Sequence, residues 1–247
     1  MTIEQEDIDF INTKFRDVEG WCWEQAALLT LWLLSAQAEL GLGGPILEIG
    51  VFKGKYLSVL FQKARRNAQR VLGIDTFQWA GRDEVLSTFT QMFGSIENLS
   101  LVAQDSSSLT AAQLIEMLGG KRAAFISVDG DHSASGVVSD LRLSKDSLEA
   151  GGIIAMDDFL NPKAITVSEG FYRFALEQGA QSVLPFAYCA NKLFCADGSY
   201  VELYRQALWR FVEQMPNLPM VQEFNRQLTL GRLFVEQPLL DSNVLLF

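Results

Sequence analysis

From residue 45 onward, short aliphatic runs alternate with stretches of helical periodicity, and this restricts the chain to repeated βα units around a mostly parallel sheet. The spacing predicts strands at Pro45–Gly50, Arg70–Asp75, Asn98–Gln104, Ala123–Asp129 and Gly152–Asp157. Leu57, Leu60, Phe61 and Ala64 recur at helical spacing after the first strand, as do Val137, Val138, Leu141 and Leu148 after the fourth, so each helix can bury one face on the sheet. Val183–Ala190 and Lys192–Ala196 read as an antiparallel hairpin turning at Asn191, which brings the expected sheet to seven strands. The expected class is therefore α/β, doubly wound. A helical segment over 1–42 precedes the sheet domain of 43–199, and a helical extension over 200–247 packs on the same domain.

The ends carry their own patterns. A polar helix is expected near Ile3–Phe15 and a Trp-rich one from Trp21 to Leu40; Trp21, Trp23 and Trp32 either pack on the sheet or form a lid or subunit contact. Val201, Tyr204, Leu208, Phe211, Val212 and Met215 mark an amphipathic helix, after which Pro216, Pro219 and Pro238 punctuate the tail.

Composition narrows the partners. With 247 residues, 49% of them apolar and 20% charged, the chain can bury a full core. A net charge of −10 repels phosphate backbones, so no nucleic-acid partner is expected. The densest basic run, Lys63, Arg65, Arg66 and Arg70, reads as a solvated helix end. Glu4, Glu6, Asp7 and Asp9 open the chain where a secretory leader would be basic, and Ala26–Leu34 is too short to span a bilayer; a cytoplasmic protein without membrane association is expected. Cys22, Cys189 and Cys195 form no CxxC pair and His132 is the only histidine, so the thiols are expected free and buried and a zinc site is not expected. The apolar amino-terminal helix is compatible with a homodimer.

Ligands of open α/β sheets sit beyond the carboxyl ends of the strands, and here those ends carry Glu48, Asp75, Asp105, Asp129 and Asp157. Glu48 lies in a strand running into the Gly50-Val51-Phe52-Lys53-Gly54 turn, where missing side chains let backbone approach a ligand. The spacing fits neither the dinucleotide G-x-G-x-x-G nor the P-loop. Asp75 in Gly73-Ile74-Asp75-Thr76-Phe77 can accept both hydroxyls of a ribose. Asp105 and Ser106 either meet an adenine amino group or cap a helix. Asp129, Asp157 and Asp158 close adjacent strands with several oxygens and no soft donor, a set suited to a hard divalent cation such as magnesium. Phe159, Phe171, Tyr172, Phe174, Phe186 and Tyr188 supply aromatic surface near this edge, with core the default for most of them.

In order, Glu-x-Gly-x-x-x-Gly, Gly-x-Asp-x-Phe, Val-Asp-Gly-Asp-His-Ser, Leu-Glu-Ala-Gly-Gly-Ile-Ile and Asp-Asp-Phe resemble the class I methyltransferases grouped with macrocin- and cephalosporin-pathway O-methyltransferases. The resemblance runs from about Gly20 to Ala196, and the Asp-Gly-Asp-His block is its most specific part. It implies a Rossmann-like methyltransferase fold and S-adenosylmethionine as cofactor. Glu48, Gly50 and Gly54 would line its methionine end, Asp75 the ribose, and Asp105 with Ser106 the adenine side. Asp129, Asp157 and Asp158 match the metal ligands, and Asp131 or His132 the general base, with the choice left open. Ala134 stands where an aromatic often follows His-Ser. The implied reaction is metal-assisted O-methylation of a small-molecule acceptor, a hydroxyl on a sugar or natural-product intermediate. Two other readings of the residues remain: a nicotinamide-dependent oxidoreductase, which has the wrong glycine spacing, and a non-catalytic S-adenosylmethionine-binding module.

Overall fold

A computed structural model describes residues 3–177 and 182–247. In chain order the elements are α1 (Gln5–Asn12), α2 (Lys14–Asp17), α3 (Glu24–Glu39), β1 (Ile46–Ile49), α4 (Lys55–Ala64), β2 (Val71–Asp75), α5 (Arg82–Phe93), β3 (Leu99–Ala103), α6 (Ala111–Met117), β4 (Ala123–Val128), α7 (Ala134–Ser147), β5 (Leu148–Met156), α8 (Ile165–Ala175), β6 (Val183–Cys189), β7 (Lys192–Asp197), α9 (Gly198–Gln214), α10 (Pro219–Leu230), β8 (Glu236–Leu239) and β9 (Ser242–Leu246).

The strands form one sheet in the order β3-β2-β1-β4-β5-β7-β6-β9-β8. β1 to β5 are parallel to one another, and β7 enters antiparallel between β5 and β6. The strand order reverses between β1 and β4, which puts a crevice above their carboxyl ends. Alternation along the strands sorts the core. Ile46, Val71, Phe125, Ile153 and Phe194 face α3, α4, α5 and α9, whereas Leu47, Leu72, Ile126, Ile154 and Leu193 face α6, α7 and α8. Helices therefore cover both faces. The β6–β7 hairpin turns through Ala190 and Asn191, both at positive φ (48° and 69°), as a tight two-residue hairpin turn requires.

The sheet has nine strands rather than seven, because the tail is not purely helical. After α10 the chain doubles back as a β8–β9 hairpin, and β9 adds in parallel to the edge of β6 through Ala187↔Leu245 and Tyr188↔Leu246. Buried Arg205 of α9 fastens it, donating to Glu236 Oε1 at 2.6 Å and to the Asn243 carbonyl. The run Lys63–Arg66 also departs from the solvated face expected of it: Lys63 is buried at 3.4 Å from Asp7, Arg66 binds Asp7 and Glu4 at 2.8 and 2.9 Å, and Arg65 binds Glu6. The acidic amino terminus is thus docked onto α4. Trp32 is fully buried against Phe211, with its indole N–H on the Ala207 carbonyl at 2.8 Å, whereas Trp21 and Trp23 are exposed. Among the described residues no helix is long and apolar enough to cross a membrane.

Candidate active site

The alternation that sorts the core also selects the site. Continuing it past the strand ends places Glu48, Asp75, Asp129, Asp157 and Lys192 on the face packed by α3 and α4, at one edge of the sheet. Glu48, Asp129, Asp157 and Lys192 border a cleft of about 580 Å³ at the ends of β1, β4 and β5, which Trp21, Trp23 and Phe52 also line. Asp75 does not itself line it. Trp21 stacks on Phe52 with ring centres 5.3 Å apart.

The glycine turn brings two strand ends together. Gly50 has φ +84°, and a Cβ there would lie 1.8 Å from the Asp129 carbonyl oxygen, so only glycine allows β1 and β4 to meet at this point. Gly54, φ +83°, starts α4 where a Cβ would strike Phe89. Asp75 holds the turn: its Oδ2 accepts from Val51 N at 2.7 Å and Phe52 N at 2.8 Å, and its Oδ1 from Phe77 N at 2.6 Å.

Asp129, His132 and Asp158 converge, with one ligand atom from each lying within 4.8 Å of the others. His132 Nε2 is 3.3 Å from Asp129 Oδ1 and 3.4 Å from Asp158 Oδ2. Its backbone carbonyl accepts from Thr166 Oγ1 at 2.6 Å, which fixes the loop to α8. The hydrogen bond to Asp129 raises the His132 pKa, and the three surrounding carboxylates add to the shift against its partial burial. Burial and then the Asp157 charge raise the pKa of Asp129. Asp158 sits at φ +57°, a left-handed conformation that Asp tolerates, and accepts from Asn161 Nδ2 at 2.5 Å.

Asp157 also lines the cleft but faces a different partner, Lys192 Nζ at 3.3 Å. Asp131 turns the other way. Its carboxylate accepts from Ser133 N at 3.0 Å and Ser133 Oγ at 2.6 Å at the start of α7, which lowers its pKa, and it does not line the cleft. Asp105 accepts from Ser107 N at 2.9 Å as a cap, while Ser106 Oγ donates to Asp140 at 2.7 Å. Glu48 is buried and lines the cleft, its Oε2 without a hydrogen-bond partner among the described residues; burial, with Asp129 next, pushes its pKa well above the usual carboxylate range. Of the aromatic set, Phe159, Phe171, Phe174 and Phe186 are core, and none of the six lines the cleft.

From sequence, no site role falls to Lys192, Tyr56, Cys22 or Asp140, although Cys22 is expected as a free thiol and Lys192 lies in Ala190-Asn191-Lys192-Leu193, which also resembles the family. Lys192 carried a signal: it is a lysine leading the apolar run Leu193-Phe194-Cys195-Ala196 of an internal strand.

Residues 47–159 match the family model described as a methyltransferase domain. No curated protein matches the sequence. Among solved structures, the O-methyltransferase NovP superposes with a TM-score of 0.58 at 13% identity, over 70% of this chain and 80% of its own. CalS11, a TDP-rhamnose 3′-O-methyltransferase of calicheamicin biosynthesis, gives 0.54 at 20% identity, over 80% and 88%. MycE of the mycinamycin pathway, solved with Mg and SAH, gives 0.53 at 16% identity, over 78% of this chain and 55% of its own. Residues 47–159 are thus similar to a methyltransferase domain, and the chain has the Rossmann-like fold of these solved methyltransferases.

Proposed function

We propose that the protein transfers a methyl group from S-adenosylmethionine to a hydroxyl of a small molecule, a sugar or natural-product intermediate, with help from a divalent cation. The observation that carries this is the convergence of Asp129, His132 and Asp158 in a cleft beside the glycine turn, at the switch point of the sheet. The donor chemistry fits both groups. Glu48 offers the cationic end of the cofactor an unpartnered buried carboxyl oxygen, and Asp75 stands on the turn at the adjoining strand end. Asp129 and Asp158 would hold the cation, with Asp157 beside them on Lys192, and magnesium is the first metal to test because it is the ion bound in MycE. When bound, the cation supplies orientation and a lowered pKa for acceptor oxygens.

A neutral hydroxyl attacks the sulfonium methyl well only as its proton leaves. His132 lines the cleft and is placed to take that proton, since Asp129 and Asp158 flank Nε2 and stabilise the imidazolium that results. Asp131, committed to the α7 cap, is not given this role. The products are the methyl ether, S-adenosylhomocysteine and a proton. Trp21, Trp23 and Phe52 shield the reacting atoms from water.

The test is transfer of labelled methyl from S-adenosylmethionine to a panel of deoxysugar nucleotides and polyhydroxylated aromatics, with EDTA and magnesium arms. Asp129→Ala is expected to abolish metal-dependent turnover while leaving S-adenosylhomocysteine binding largely intact. Full activity in that variant removes the cation from the reading.

A further inference from the structure

Two buried groups lining the cleft, one acidic and one basic, have no hydrogen-bond partner among the described residues, Glu48 Oε2 and Lys192 Nζ. Each residue is only 1% exposed. The Lys192 ammonium stands 3.3 Å from Asp157 Oδ2 and 4.0 Å from the centre of the Tyr56 ring. Tyr56 is itself fixed by a 2.7 Å hydrogen bond to Thr30. An ammonium carries three donors; the Asp157 charge faces one and the ring another, and a third has no acceptor among the described residues. Paired with the Asp157 carboxylate and seated over the Tyr56 ring, Lys192 is placed as a buried ammonium.

A fixed buried cation calls for an anionic oxygen, which a neutral acceptor hydroxyl does not supply. A ligand that offers a cation to Glu48 and an anion to Lys192 within one cleft is the zwitterion of an α-amino acid. We propose that Lys192 Nζ binds the carboxylate of the amino-acid end of S-adenosylmethionine, while Glu48 receives its α-ammonium. This assignment rests on the cofactor reading above. It makes Lys192 a binding residue for the cofactor, contributed by the antiparallel strand β7 rather than by the parallel strands.

Calorimetry with two ligands tests it. S-adenosylhomocysteine carries the amino-acid end; 5′-methylthioadenosine shares the nucleoside and thioether and lacks that end. Each is titrated into the wild type, Lys192→Gln and Lys192→Arg. Lys192→Gln is expected to weaken S-adenosylhomocysteine about 10- to 100-fold, the worth of one charge-assisted hydrogen bond, and to leave 5′-methylthioadenosine nearly unchanged. Lys192→Arg, which keeps a cation beside Asp157, is expected to retain the preference for S-adenosylhomocysteine. Unchanged S-adenosylhomocysteine affinity in Lys192→Gln, or equal loss of both ligands in both variants, overturns the assignment and leaves Lys192 as the counter-ion of Asp157. A wild type that binds neither ligand overturns the cofactor reading itself, and the assignment with it.

Discussion

Replacing Gly50 by alanine probes the point where β1 and β4 meet. The new Cβ would lie 1.8 Å from the Asp129 carbonyl oxygen and 2.3 Å from its carbonyl carbon, where side chains keep 3.0 Å or more. One backbone must therefore give by about 1 Å in a close-packed region. Two hydrogen bonds resist that movement, Gly50 N to the Ile74 carbonyl and Asp129 N to the Ile49 carbonyl, both 2.8 Å. Left-handed φ costs alanine about 1–2 kcal/mol, and overpacking with a weakened backbone hydrogen bond adds about 2–3 kcal/mol. Gly41→Ala is the control, since Gly41 has φ +75° and nothing within 4 Å, so it suffers the conformational cost alone. At about 2–4 °C per kcal/mol for a chain of this size, Gly50→Ala should melt roughly 4–12 °C below Gly41→Ala. Scanning calorimetry on the two variants reads the difference directly. Melting within about 2 °C of each other would refute the claim that contact with Asp129, rather than φ alone, requires glycine at this position.

Three further outcomes are expected. Burial pushes the Asp140 carboxyl from 3.8 up to about 6, so the native state binds more protons than the unfolded one in that window. Stability should then fall as pH rises from about 4 to about 6, by at most about 3 kcal/mol. Asp140→Asn should flatten the profile, and denaturation curves of variant and wild type running parallel across pH 4 to 7 would contradict it. Asp75→Asn leaves one oxygen for amides that now use two, and should cost about 2–3 kcal/mol in a urea titration; an unchanged midpoint would show that the turn does not depend on it. Trp21 is 86% exposed and stacks on Phe52, so Trp21→Ala should lower stability by no more than about 1 kcal/mol. If it covers the cleft, the variant raises KM in methyl-transfer assays; unaltered KM would remove it from the lid.

The strand ends were legible because a parallel sheet gathers carboxyl ends on one edge, so Glu48, Asp75, Asp129 and Asp157 could be grouped from sequence without knowing any contact. Asp131 shows the limit of that logic. It shares the Asp-Gly-Asp-His block with Asp129, yet a hydroxyl two residues on, Ser133, captures its carboxylate for the start of α7. That competing local hydrogen bond is written in the sequence as Asp-x-Ser, and distinguishing the two fates takes the direction in which the chain leaves β4. The tail is the other case: Glu236–Leu239 and Ser242–Leu246 are short strands flanking Leu240 and Asp241, with a weak turn signal, and they find their place on β6 through Arg205, about one helix away in the chain.

By itself the sequence determined the α/β class, the hairpin at Asn191 and the row of acids above the switch point, since these follow from local periodicity and turn chemistry. Tertiary structure alone decided how those acids divide. Asp129 and Asp158 meet His132, while Asp157 is drawn to Lys192, and the buried Glu48 Oε2 has no hydrogen-bond partner among the described residues. Charges at strand ends are fixed in position by the backbone, but their partners come from helices and strands tens of residues away, and burial then makes each pairing expensive to leave unmade.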